Sequence, residues 1–241
     1  MGERSEGHTV RRYDGELAGL RLLMLEMGGL VLDQVRRAVA AFDRQDVAAA
    51  RNVIARDHAV NSYDLRIDDA SLKLLALRQP VAGDLRIVMS ISKAVADLER
   101  TGDEAAKIAR MTLRLFSRGG NVPRRALLRD VRAMAALATQ MLGDVLRAFD
   151  EMDVDAALEV AAGDAELDRE FRAASRRLST YVMEDSRQLG HTINALTVVK
   201  ALERIGDHAK NIAEHIVFLV TGQDVRHADA DVDADVSDQD F

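Results

Sequence analysis

The chain of 241 residues has no cysteine, no tryptophan, only 2 prolines and 4% aromatic residues. Without thiols it can build neither a disulfide framework nor a cysteine-ligated zinc or iron–sulfur centre. With so few prolines, long stretches are free to stay helical. Apolar runs are short, and none approaches the roughly 18 residues of a membrane span. Met1 to Arg12 is polar, without the apolar centre of a secretory signal. The expected location is the cytoplasm, with membrane contact only peripheral. Positive charge is also in deficit: 33 Lys and Arg stand against 40 Asp and Glu, a net charge of −7. That argues against nucleic acid as a partner, because phosphate backbones are held by clustered cationic side chains. Catalytic signatures are missing as well. There is no Gly-rich phosphate loop, no His-Glu-x-x-His, and no Glu-x-x-His pair of the kind that di-iron oxidases need twice.

What the chain does have is helix-forming residues, with Ala, Leu, Arg, Glu and Asp dominant and 48% hydrophobic residues to supply a core. Leu17, Leu20, Met24, Met27, Leu30, Val31, Val35, Ala38 and Phe42 form one stripe at helical spacing. Asp43 to Asp46 offers N-cap chemistry for a second helix, expected to turn Val53, Ile54, Val60, Leu65, Ile67, Leu72 and Leu75 inward. Arg78-Gln79-Pro80 ends it, since the residue before a proline avoids helix. A third helix runs through Leu85, Val88, Met89, Val95, Leu98, Ile108 and Leu115 to Gly119-Gly120-Asn121, and Pro123 suits the first turn of a fourth. Further helices are expected over about 123–149, 153–184 and 186–221. No stretch alternates as a strand does, so the fold class is all-α. Met24, Met27, Met89 and Met134 read as core filler.

The chain repeats itself. Ala41-Phe42-Asp43 matches Ala148-Phe149-Asp150, Asp46-Val47 matches Asp153-Val154, and Asp57 matches Asp164, all at an offset of 107. Glu99 and Asp103 match Glu203 and Asp207 at an offset of 104, so a three-residue deletion falls near a turn, where deletions belong. The expected organisation is two tandem homologous three-helix bundles, residues 9–120 and 123–222. Residues 223–241 carry Asp229, Asp231, Asp233, Asp235, Asp238 and Asp240 among small residues, and are expected to be disordered.

The most informative motif occurs in both halves. Glu99 and Asp103, like Glu203 and Asp207, are four residues apart, so each pair shares a helix face despite like-charge repulsion. Asp57 and Asn61 on the second helix, and Asp164 and Asp168 on the fifth, have the same spacing. Folding each hairpin so that its two pairs stand level puts the turns at Pro80 and at Asp185-Ser186, where turns are expected anyway. Oxygen donors gathered in this way suit a hard or borderline cation, Mg, Mn or Fe rather than structural zinc, although zinc stays among the candidates. Gly102 and Gly206 would admit a close neighbour. The competing account is that Arg100, Arg204, Lys107 and Lys210 simply neutralise a solvated face. His208 could serve as a ligand in the second half, but a surface imidazole is the ordinary expectation for it, as for His58 and His215.

Leu98-Glu99-Arg100-Thr101-Gly102-Asp103-Glu104-Ala105 and Leu202-Glu203-Arg204-Ile205-Gly206-Asp207-His208-Ala209 resemble the twin signatures of the PhoU family of phosphate-uptake regulators. Arg78-Gln79-Pro80-Val81-Ala82-Gly83-Asp84-Leu85-Arg86, Tyr181-Val182-Met183-Glu184-Asp185, Tyr13-Asp14-Gly15-Glu16-Leu17 and Met27-Gly28 also fit, so that the resemblance covers roughly residues 9–222. It implies metal clusters built on the acidic motifs, with Asp57, Asn61, Glu99 and Asp103 in the first half and Asp164, Asp168, Glu203 and Asp207 in the second. Asn61 stands where its partner is Asp168, so the first cluster has less negative charge. The resemblance further implies a non-enzymatic accessory of the phosphate ABC transporter. Such a protein would link the transporter's ATPase and permease to a sensor histidine kinase of the PhoR type, repress the phosphate-starvation response, and act as a homodimer. Two other readings stay open: a carboxylate-bridged metalloenzyme, and a structural helical scaffold.

Overall fold

The computed structural model describes residues 3–117, 125–184 and 189–225. Within them lie six helices: α1 (Glu3–Asp43), α2 (Val47–Arg78), α3 (Ala82–Phe116), α4 (Arg125–Glu151), α5 (Val154–Glu184) and α6 (Leu189–Thr221). The described residues contain no strand, and no helix among them is long and apolar enough to cross a membrane. The fold is therefore all-α, as expected. The expected closing turn at Gly119-Gly120-Asn121, Pro123, the turn at Asp185-Ser186 and the acidic tail after Val225 lie outside the described residues.

The repeat is visible atom by atom in the turn between the first two helices of each half. Gln45 and Met152, 107 residues apart, both take a left-handed backbone, with φ 58° and 53°. The amide of Asp46 donates to Ala41 O at 2.8 Å and that of Asp153 to Ala148 O at 2.9 Å, the six-to-one closure that ends a helix in a left-handed residue. Each aspartate then caps the following helix: Asp46 Oδ1 accepts from Ala49 N at 2.9 Å and Asp153 Oδ1 from Ala156 N at 3.0 Å. The α2–α3 turn falls at Gln79-Pro80-Val81, where Gln79 ends α2 in a left-handed backbone and Pro80 bars the helix from continuing.

The core is continuous through both halves. Among the described residues α2 packs only on α1 and α3, and α5 only on α4 and α6, while α1, α3, α4 and α6 also meet across the halves. Phe42 and Phe116 meet edge to face at 5.9 Å between ring centres. Three inward assignments do not hold. Leu65 and Leu72 are 69% and 66% exposed, because the buried face of α2 follows Val53, Val60, Ile67 and Leu74. Met89 is 43% exposed near the start of α3, whereas Met24, Met27 and Met134 are fully buried.

Gly102 and Gly206 let the outer helices lie close on α3 and α6. A β-carbon at Gly102 would stand 3.3 Å from Val60 Cγ1, and one at Gly206 only 2.1 Å from Leu167 Cδ2. Val60 and Leu167 are themselves equivalent positions of the repeat. Alanine gains roughly 1 kcal/mol over glycine inside a helix, while overpacking costs roughly 1–3 kcal/mol. Gly102→Ala should accordingly leave stability near the parent value, and Gly206→Ala should lower it by about 1 kcal/mol. Urea unfolding of both variants checks the contrast, and equal effects would contradict the packing described.

Candidate functional site

In the first half, α3 carries Glu99 and Asp103 toward α2. The inward stripe of α2 runs through Val53, Val60 and Ile67, so Asp57 and Asp64 flank it on the partly buried edge while Asn61 is exposed. Burial raises the Glu99 carboxyl above its ordinary value, and the charges of Asp103, Asp64 and Asp57 push it further, with Arg100 opposing. Burial and Asp68 raise Asp64 in the same way. Asp64 was not among the sequence candidates, although the seven-residue step from Asp57 was a signal for it. Gln34 was missed too. It reaches the cluster from α1, buried, its Nε2 donating to Asp57 Oδ1 at 2.7 Å and to Gly102 O at 3.4 Å. Its repeat counterpart is Met141, so the repeat gave no signal.

The second cluster is deeper. Asp164 and Glu203 are buried, and Asp168 and Asp207 partly so. The Asp207 carboxyl is pushed up to about 6, first by burial and then by Glu203, Asp164 and Asp168, against the pull of Lys200. Lys210 donates to Asp164 Oδ2 at 3.2 Å, Lys200 pairs with Glu203, and Arg172 reaches Asp168 at 3.1 Å. Even so, Asp164 Oδ1 and Glu203 Oε2 are buried with no hydrogen-bond partner. Buried acceptors left in that state are costly unless a ligand or ion completes them.

Among the described residues no group of three or more His, Asp and Glu side chains already stands at the spacing that one ion needs. The donor set nevertheless fits a cation: all oxygen, crowded enough to oppose its own ionisation, with two buried lone acceptors in the second half. Lysines partly neutralise that half, as the ion-pair account expected. Arg204 acts on Glu203 and Asp207 only through its charge and gives its hydrogen bond to another carboxylate. It donates to Glu104 Oε1 at 3.0 Å, and Lys107 holds the same buried carboxylate at 3.0 Å.

That pair belongs to the seam between the halves, where α3 and α6 run antiparallel. Two turns away along the seam Asp97, 4% exposed, accepts from three side chains of α6: His208 Nδ1 at 2.9 Å, Asn211 Nδ2 at 3.1 Å and His215 Nε2 at 3.3 Å. Burial alone would raise the Asp97 carboxyl, but these donors hold it well below the usual carboxylate range. An ionised carboxylate only accepts, so His208 carries its proton on Nδ1 and His215 on Nε2. Neither is the surface imidazole expected from the sequence; His58 is exposed, with Nδ1 2.7 Å from Ala55 O. The repeat concealed the network, because the counterparts of Asp97, His208 and Asn211 are Ala201, Glu104 and Lys107.

Comparison with known proteins bears on both halves. A family model described as the PhoU domain matches twice, at residues 24–112 and 131–216. The phosphate-specific transport system accessory protein PhoU homolog of Pseudomonas aeruginosa is 44% identical over 220 residues, covering 91% of this chain and 90% of that protein. The phosphate-specific transport system accessory protein PhoU of Escherichia coli strain K12 is 41% identical over 224 residues, covering 93% and 91%. The crystal structure of PhoU from Pseudomonas aeruginosa superposes with a TM-score of 0.84 at 43% identity, over 88% of this chain and all of that one. The phosphate transport system regulatory protein PhoU from Streptococcus pneumoniae gives 0.81 at 33% identity, over 88% and 99%.

Proposed function

The chain belongs to the PhoU family, and from that premise we propose that it is a non-catalytic accessory of a phosphate-specific transport system that relays transporter state to a sensor histidine kinase. The observation that carries this reading is the double match to the family model, each copy containing its own Glu-x-x-x-Asp pair. The accessory role is what its relatives' names describe. The repressing role, the kinase of PhoR type, the transporter ATPase and permease as contacts, a cytoplasmic site of action and a homodimeric state are parts of the proposal. Long helices with polar outer faces offer docking area, and the sequence carries no recognisable nucleophile–base motif.

Metal ions form part of the same reading. Asp57, Asn61, Glu99 and Asp103 would hold one cluster, and Asp164, Asp168, Glu203 and Asp207 the other. A bound cation would supply positive charge that offsets the repulsion these carboxylates impose on one another. The chain's own residues set the frame: α2 and α5 are held against α3 and α6 by the close approach at Gly102 and Gly206. The carboxylate-rich clusters also keep the metalloenzyme reading open as a second account.

Deleting the gene should switch on phosphate-starvation genes in phosphate-rich medium, and unchanged repression would contradict the regulatory role. Affinity purification from phosphate-replete cells should recover the transporter ATPase and a histidine kinase. Glu203→Gln should reduce that recovery if the cluster shapes the docking surface, whereas intact recovery would favour the scaffold reading.

A further inference from the structure

We propose that the groove between α1 and α2 is the docking site of the distal part of the chain's own acidic tail, residues 235–241. The groove lies beside the α1–α2 turn, has a volume of about 200 Å³, and is lined by Arg37, Arg44, Asn52 and Arg56. The equivalent groove between α4 and α5 measures about 470 Å³. The structural positions recur, Asp46 and Val53 as Asp153 and Val160. The rim inverts: Arg37, Arg44 and Asn52 are replaced by Asp144, Glu151 and Glu159. Both grooves are closed by the same turn, so the fold does not require the arginines.

Two acids moderate the first groove without cancelling it. Asp46 is engaged in capping α2, and Asp33 is shared between Arg37 at 2.6 Å and Arg56 at 4.0 Å. Three guanidinium groups against two carboxylates leave a positive excess in a chain whose net charge is −7. The occupant should be anionic, and the most concentrated run of negative charge in the sequence is the tail. Asp238 and Asp240 alternate, so an extended segment would present them on one side, roughly 7 Å apart, with Asp235 shortly before them.

The tail is long enough. The chain leaves α6 beside the start of α3, where Gly222 abuts the Arg86 guanidinium. That point is level with the C-terminal end of α2, and the groove is at its N-terminal end. From Leu75 back to Val53 is about 33 Å along the helix. Counted from Arg226, an extended chain reaches about 33 Å at Asp235 and about 50 Å at Asp240, so the distal aspartates reach the groove and the residues before them act as the tether. Exposed ion pairs are individually weak, but the tether holds the tail at an effective concentration on the order of millimolar. The same electrostatics make the contact sensitive to salt.

The absence of cysteine makes the test clean. Ala48→Cys with Ser237→Cys, spin-labelled in the full chain, should show a short-distance population at low ionic strength. It should be lost in molar salt and lost in Arg37→Glu/Arg44→Glu. Adding Asp238→Arg/Asp240→Arg to those reversals should restore it, with circular dichroism confirming that every variant stays helical. A broad distribution indifferent to salt and to charge reversal would overturn the proposal. So would short distances found only between singly labelled chains, which would make the occupant a second copy. Protection of the groove by inorganic phosphate while the tail stays distant would hand the site to a small anion and overturn it equally.

Discussion

Asp97→Ala should lower the unfolding free energy by about 3–5 kcal/mol, the usual cost of removing one partner from a buried charged network. Asp97 is the common acceptor for His208, Asn211 and His215, and its loss strands three donors at the seam between the halves. Asp97→Asn keeps the volume and one acceptor oxygen but turns a donor toward donors, so an intermediate loss is expected. Urea unfolding of the full chain measures both, and a loss under about 1 kcal/mol for the alanine variant would show that the network does not hold the seam. The pH dependence has a definite sign. Because the folded state depresses this carboxyl, its contribution is present above the ordinary aspartate range. It is lost as the pH falls toward the depressed folded value.

Asp207→Asn should do the opposite and stabilise the cation-free chain. A carboxyl raised from 3.8 to about 6 opposes folding once both states are ionised. The full shift would be worth about 3 kcal/mol at neutral pH. Asp207 is only partly buried, and solvent screening reduces the expected gain to about 1–2 kcal/mol. The stability associated with protonated Asp207 is complete below pH 3.8 and is lost as the pH rises through about 6. The variant's gain over the parent should grow across that window, be full above it and be absent below it. Added Mn or Mg should raise the parent's thermal midpoint and raise the variant's less, because the variant has lost a ligand along with the repulsion. A variant no more stable than the parent at pH 7, with an unchanged response to the ions, would remove the crowded-carboxylate account of the second cluster.

Much of this architecture was legible before any coordinates. Helical period, the Asp46 and Asp153 caps and the turn at Pro80 are local properties, set by nearest neighbours in sequence. The repeat was legible because two copies of one pattern corroborate each other. Exposed Leu65 and Leu72 mark a limit: on a helix with polar residues all round, periodicity alone does not choose which apolar edge faces the core. Gln34 marks another, since its place over Asp57 depends on the rotation of α1 against α2.

By itself the sequence determined six helices in two copies of a three-helix unit, each carrying its own Glu-x-x-x-Asp pair. Backbone geometry, capping and spacing suffice for that. Only the tertiary structure decided how the copies differ. Packing α3 against α6 gave Asp97 its three donors, and the packing of the second half buried Asp164 and Glu203 more deeply than Asp57 and Glu99. Such contacts join residues roughly a hundred positions apart, where the repeat predicts sameness and the energy depends on which side chains meet.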